Sequence, residues 1–497
     1  MAKRTDSPGL GSLGSGALTA ASLLVVSASA AVIGVVIARE FGRTEETDGL
    51  LAAYGVYIVI VVAAQAIRIA VLPQLARAAE DGRLAGTLAG YAGALLVIAV
   101  PLVLVAELAA DPLGKLLTGN ESTVAGETAA DALEWIVPAG VAYLFAGLAA
   151  SGLAALDDYA TAAAGFAGAS AAGLALILAR VGSDGIIAVA WGVAVTGAIA
   201  LIIPAVGLAI RALRAGMPTS AVRPEGPALA DRLRAFAVGA ALPIALQLLY
   251  VVSMPFAARL ETGAATSFVY AYLAAASLVT VTAGSLGLVT SVPLARGAFS
   301  MLETIRHVVS ASWLALVLVG AAAGVLAVAG GEAVAAILGE SYGGAVGSDV
   351  GRLIVVFSPW MVASIGVSVT FPLAFVAGRT RGLPWIAMGV LALQVPLAWL
   401  GATLLDLEGL AIALACSTFV VLVALLEVLD ARAETVRALT AAAAVVGGAS
   451  AIAFVLPALV LGAIASAGAG LLLYVALLGL VRPRALILSW RYLRALR

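Results

Sequence analysis

Leu72-Pro73-Gln74-Leu75-Ala76-Arg77 closes the second long apolar stretch of the chain, and Val292-Pro293-Leu294-Ala295-Arg296 closes the eighth, 220 residues later. The same offset relates Ala38-Arg39 to Ala258-Arg259, at the ends of the first and seventh stretches. Pro138 and Pro359 open the fourth and tenth at an offset of 221, and Gly185-Ile186-Ile187-Ala188 corresponds to Gly409-Leu410-Ala411-Ile412 at 224. Four matches in chain order mark an internal duplication. Six stretches separate the copies, so both copies enter a membrane in the same direction. Parallel repeats of this kind are related by an axis along the membrane normal, with a cavity expected between the halves.

The composition agrees with this reading. Of 497 residues, 63% are hydrophobic and 11% charged, and the mean hydropathy is +1.13. Soluble domains carry about 45–50% apolar and about 25% charged residues, so a soluble multidomain enzyme is excluded. A net charge of −1 gives nucleic acid no basic surface to bind. One cysteine, Cys416, and one histidine, His307, leave no disulfide framework, no Cys/His metal site and no His-paired nucleophile. No phosphate loop is present either. Gly9-Leu10-Gly11-Ser12-Leu13-Gly14 follows no strand, and a membrane helix comes after it. No enzyme, cofactor or metal is expected.

A helix needs about 20 mostly apolar residues to cross a bilayer core. Fourteen segments qualify, near 17–38, 50–75, 86–109, 134–156, 159–179, 186–210, 235–258, 266–292, 308–330, 353–377, 383–404, 408–429, 438–459 and 461–481. They are continuous apolar runs without the alternation of a membrane barrel. The first is too long for the core of a cleaved signal and is expected to be retained. The predicted fold is an all-α polytopic membrane protein of about 14 transmembrane helices, with two six-helix repeats and two extra helices. Its expected organisation is an N-terminal lobe (1–213), a cytoplasmic linker (214–232), a C-terminal lobe (233–430), and two additional helices with a basic tail (431–497). With the N-terminus inside, 20 of the 27 Lys and Arg residues fall on inner segments and six on outer ones. Both termini are therefore expected in the cytoplasm.

Arg68 lies within a span. Tyr54, Tyr57, Gln65 and Arg68 fall within about 80° of one another on a helix, forming one polar stripe. An intramembrane charge faces a cavity or a partner, or else its guanidinium snorkels to the headgroups. Gln247 and Tyr250 form a shorter polar face on the seventh span. Ser277, Thr280, Thr282, Ser285, Thr290 and Ser291 on the eighth either line a hydrated path or bond within the helix bundle. Arg39, Arg43, Asp48, Arg259 and Glu261 stand at the outer mouths of the two halves, as a charge-paired outer gate or as solvated loop ends. Carboxylates inside the spans, which an ion-coupled exporter needs, are scarce.

Ala38-Arg39-Glu40-Phe41-Gly42, then Thr47-Asp48, then a tyrosine-bearing span ending at Leu72-Pro73, resembles the first signature of the lipid II flippase family (MurJ/MviN). Gln247, Gly263, Tyr270-Ala271 and Val292-Pro293-Leu294 resemble its second. The family belongs to the multidrug/oligosaccharidyl-lipid/polysaccharide exporter superfamily. The resemblance implies an alternating-access flippase in the bacterial inner (plasma) membrane. It would move a polyprenyl-pyrophosphate-linked saccharide to the outer leaflet for cell-envelope (peptidoglycan) synthesis. Its partners would be the lipid-linked precursor, the bilayer and cell-wall synthesis enzymes. The family's cavity arginines fall here on Ile33, Val61, Val62 and Leu273, which leaves Arg68 as the guanidinium for the pyrophosphate. A multidrug or organic-cation exporter of the same superfamily and a transport-inactive envelope scaffold are the alternatives.

Overall fold

The computed structural model describes residues 12–214, 227–296, 301–481, 483 and 486–488. The described residues are helical, with no strand among them. In order the helices are α1 (Ser12–Glu40), α2 (Glu45–Glu80), α3 (Leu84–Leu108), α4 (Ala110–Leu117), α5 (Thr123–Ala155), α6 (Tyr159–Asp184), α7 (Ile187–Arg214) and α8 (Leu229–Ala258). They continue as α9 (Ala264–Arg296), α10 (Met301–Leu338), α11 (Gly344–Val356), α12 (Ser358–Val376), α13 (Leu383–Val428), α14 (Arg432–Ala458) and α15 (Ala463–Val481).

Among the described residues eleven helices are long and apolar enough to cross a membrane, or twelve if α11 and α12, bent by 40°, form one span. The chain is thus a polytopic α-helical membrane protein. The expectation of fourteen spans differs from that count in two regions. The apolar part of α9 is the shorter stretch Ala264–Thr280. α13 holds two predicted spans in one element, interrupted by non-helical Leu405 and Asp406. Gly401 and Gly409, on either side of this turn, approach so closely that a Cβ on either would collide with the other's backbone.

The described residues divide into two compact units: the chain up to Ile37 with Gly49–Gln247, and Ala38–Asp48 with the chain from Leu248 onward. The last boundary, after Gln247, falls inside α8, beyond the predicted linker, of which residues 215–226 lie outside the described residues. Packing accounts for this position. Near the start of α8, Arg232 lies over the Tyr91 ring at 5.5 Å and Phe236 meets the same ring at 5.7 Å, both on α3. Past Leu248, Tyr250 stacks on α9 and Ser253 accepts a hydrogen bond from Gln394 of α13.

In the first unit α5 packs against α3, α4 and α7, and α6 lies along α7. Small residues make this possible, because association in lipid depends on close packing rather than on a hydrophobic drive. A Cβ on Gly173 of α6 would sit 2.5 Å from the Gly192 carbonyl of α7, and one on Gly197 of α7 would sit 2.5 Å from the Ala139 carbonyl of α5. The helix starts are capped: Ser122 accepts from the Ala125 N–H, and Asp158 accepts from the Thr161 N–H at 3.1 Å. Arg211 of α7 pairs with the same Asp158 carboxylate at 2.7 Å. In the second unit α11, α12, α14 and α15 all pack on α10. The last two helices are joined to it by hydrogen bonds from Tyr474 to the Val317 carbonyl (2.9 Å) and from Ser450 to the Gly320 carbonyl (2.8 Å).

Candidate functional site

In the first unit the α2 stripe continues onto α5 and α6. The Tyr54 and Tyr57 rings are 5.6 Å apart, and Tyr57 meets Tyr143 of α5 edge-on at 6.4 Å. Tyr143 in turn touches Phe166 of α6 at 5.3 Å. The Arg68 guanidinium lies 5.9 Å from the Phe166 ring centre, within cation–π range. Its stem passes over Gly147 of α5, where a Cβ would be 3.3 Å from the Arg68 Cγ. Arg68 is half-buried, and no carboxylate pairs with it among the described residues. It therefore sits against an aromatic wall. Gln65 is exposed, and Gln247, partly exposed, is the last residue of the first unit.

Tyr250 belongs to a different environment. Only 1% exposed, it stacks on Tyr272 at 4.2 Å with the rings 14° from parallel. Phe268 flanks it at 6.1 Å, and Tyr272 continues to Trp360 at 5.0 Å. The stack is a packing core of the second unit, whereas the Arg68 stripe belongs to the first. Below it, buried Gln394 donates to Ser253 at 2.9 Å and accepts from Ser417 at 2.6 Å, a neutral hydrogen-bonded triad. On α9, Ser277 and Thr280 donate to the carbonyls four residues earlier. The side chains of Thr282, Ser285, Thr290 and Ser291 lie outside the described residues.

The charged residues predicted at the outer mouth all lie in the second unit. Arg39 donates to the Ile337 and Ala336 carbonyls at 3.1 and 3.0 Å, closing the C-terminus of α10 where a cation is favoured. Arg43 pairs with Glu261 at 2.8 Å and donates to the Gly263 carbonyl at 3.2 Å. Asp48, 5% exposed, accepts from the N–H groups of Gly263 and Thr266 and from the Thr266 hydroxyl. Gly263 has φ +79°, a conformation that favours glycine and turns its N–H toward Asp48. Arg259 is exposed. Burial pushes the nearby Tyr342 phenol well above its ordinary pKa; adjacent Arg43 lowers it and Asp48 raises it.

Tyr143, Phe166 and Thr266 were not among the predicted site residues. Tyr143 and Phe166 carry no charge and stand in segments that read as plain apolar spans. Gly147 of α5 is the position over which Arg68 lies. No group of His, Cys, Asp or Glu residues suited to a metal ion occurs among the described residues.

No family model matches the sequence, and no curated protein matches it. Among solved structures, a lipid II flippase MurJ in an inward closed conformation is similar with a TM-score of 0.70 and 13% identity, over 94% of this chain and 98% of that one. An inward-facing multidrug resistance MATE family transporter of the MOP superfamily is similar at 0.61 and 14%, over 86% and 98%. A eukaryotic MATE transporter is similar at 0.55 and 16%, over 87% and 97%. These likenesses show the fold: it is like that of the lipid II flippase and of the MATE transporters of the MOP superfamily.

Proposed function

We propose that this protein is a flippase of that superfamily, moving a polyprenyl-pyrophosphate-linked saccharide across the membrane by alternating access. The observation that carries the reading is the extent of the fold likeness. It spans 94% of the chain for the lipid II flippase against 86% for the inward-facing multidrug transporter. The scarcity of carboxylates inside the spans supports the same choice, because a pyrophosphate cargo calls for cations rather than for buried acids.

Arg68 is the residue assigned to the phosphates. A guanidinium donates through several N–H groups in a fork that matches phosphate oxygens. With no carboxylate partner, Arg68 keeps that capacity for an incoming anion, and Tyr54, Tyr57 and Tyr143 give the saccharide flat faces and hydroxyls. Membrane voltage would bias a charged step by about 2.3 kcal/mol per charge per 100 mV. Under this reading the protein resides in a bacterial plasma membrane with both termini cytoplasmic, and envelope-synthesis enzymes are its partners. Export of organic cations is the second reading, supported by the likeness to the MATE transporter.

The test is transport in proteoliposomes, comparing lipid II, a second polyprenyl-pyrophosphate saccharide and a phospholipid, with and without an imposed potential. Selective movement of a pyrophosphate-linked carrier, lost in Arg68→Ala, is the expected result. Drug-stimulated proton or sodium flux without carrier movement would move the assignment to the exporter. No transport of any kind, with an envelope synthase copurifying, would move it to a scaffold.

A further inference from the structure

Residues with left-handed backbone recur at a spacing of 220 or 221: Gly42 and Gly263, Gly119 and Gly339, Asp157 and Gly378, Gly185 and Asp406. The run of α5, α6 and α7 in the first unit therefore has a counterpart in α12 and the two parts of α13 in the second. Each run is tied by an ion pair between its first turn and the end of its last helix. Asp158, directly after Asp157, pairs with Arg211 of α7. Arg379, directly after Gly378, pairs with Asp430, just past α13, at 2.5 Å. The positions correspond, and the signs are exchanged.

The exchange makes the two pairs unequal. Asp158 is 5% exposed and caps α6 through the Thr161 N–H and hydroxyl, at a helix N-terminus where an acid is favoured. Arg211 stands in the last turn of α7, where a cation is favoured. Asp430 lacks such support. It follows the C-terminus of α13, where the helix dipole disfavours an acid, and its side chain is 64% exposed. Arg379, itself 47% exposed, holds it and also donates to the carbonyl of Val428, the last residue of α13. An exposed pair of this kind is weak and is screened by salt, whereas a buried carboxylate with several donors is screened much less.

The weaker pair stands at a joint. α13 packs on α12, whereas α14 packs chiefly on α10 and α15. Glu427 and Arg432 meet across the same joint at 3.5 Å, and both are exposed.

We propose that Arg379 and Asp430 form a releasable latch. Closed, it holds the joint of α13 and α14 (residues 429–431) to the turn between α12 and α13; opened, it lets α14 part from α13 at that joint. The pair of Asp158 and Arg211 is its fixed counterpart in the first unit. The latch stands whether or not the flippase reading holds.

Amide hydrogen exchange of the full-length protein in nanodiscs tests it. The Arg379 and Ala431 N–H groups donate to the Ala374 and Leu426 carbonyls, so their exchange reports opening of the turn and the joint. The Asp158 and Thr161 N–H groups, bonded to the Leu153 carbonyl and the Asp158 carboxylate, are the internal reference. Raising NaCl from about 0.05 M to about 0.5 M is expected to speed exchange at Arg379 and Ala431 roughly threefold or more and to leave the reference amides unchanged. Arg379→Gln should give fast exchange at Ala431 already at low salt. Arg379→Asp combined with Asp430→Arg restores the attraction and should bring back slow exchange. The proposal is overturned if salt leaves the Ala431 amide unchanged or speeds the Thr161 amide as much. It is overturned as well if the double variant exchanges no more slowly than Arg379→Gln.

Discussion

Asp48 caps Thr266 from 218 residues away: its Oδ1 accepts the Thr266 N–H at 2.7 Å and the Thr266 hydroxyl at 2.6 Å, while its Oδ2 accepts the Gly263 N–H at 2.7 Å. An N-terminal cap is ordinarily supplied by the residue just before the helix. Here the first turn of α2 supplies it to α9, and this bond is one reason why Ala38–Asp48 groups with the second unit.

Asp48→Ala leaves two buried N–H groups and a hydroxyl without an acceptor. The expected loss is about 2–4 kcal/mol, combining the cap with the orphaned donors. Asp48→Asn keeps one accepting oxygen and loses less. Thermal unfolding in detergent measures both, and exchange of the Gly263 and Thr266 amides localises the effect. Protection equal to wild type in Asp48→Ala would remove the capping role.

Gly147 gives Arg68 its place against Phe166. A bare Cβ there is tight, 3.3 Å from the Arg68 Cγ, so Gly147→Ala needs only a small adjustment. Gly147→Leu occupies the space of the arginine stem and is expected to lower carrier flipping toward the level of Arg68→Ala while the charge is retained. Phe166→Leu removes a ring contact worth about 0.5–2 kcal/mol and should give a partial loss. Full transport in Gly147→Leu would show that the position of Arg68 is immaterial.

The α13 turn depends on backbone-to-backbone approach, which no rotamer change relieves. Gly409→Ala is expected to abolish the folded yield, because the added methyl meets the Gly401 backbone. Gly389→Ala, in the same helix with nothing within 4 Å of its Cβ, should stabilise by up to about 1 kcal/mol through helix propensity. Size-exclusion recovery and melting temperature distinguish the two.

Asp158 sets an acid limit on the α5–α6 turn. Burial raises its pKa, but hydrogen bonds from the Thr161 N–H, from Arg211 and from the Thr161 hydroxyl outweigh it and hold the carboxyl below its ordinary value of 3.8. A depressed folded-state pKa contributes stability above the unfolded value, and that contribution is lost as pH falls through the folded one. Wild type should therefore lose stability below about pH 4 relative to Asp158→Asn, and be the more stable of the two at pH 7. Parallel melting curves from pH 7 to pH 3 would show the two lines converging; curves that stay a constant distance apart would contradict the assignment.

Much of the fold was legible in residue order. The apolar runs mark the helices because length and continuous hydrophobicity are local properties that lipid reads directly. By contrast Tyr250 reads as a polar face on α8, yet it is enclosed by Tyr272 and Phe268 from α9. A tyrosine on an apolar span looks alike in both situations; only the neighbouring helix decides.

Sequence alone thus marked a helical membrane protein and placed Arg68 inside an apolar segment. Tertiary structure alone decided that Arg68 rests on Phe166, that Asp48 serves α9, and that Gln394 joins Ser253 to Ser417. The reason is physical. Helix formation is written in neighbouring residues, whereas these pairings depend on how closely distant helices approach, which glycines such as Gly147 and Gly263 set one contact at a time.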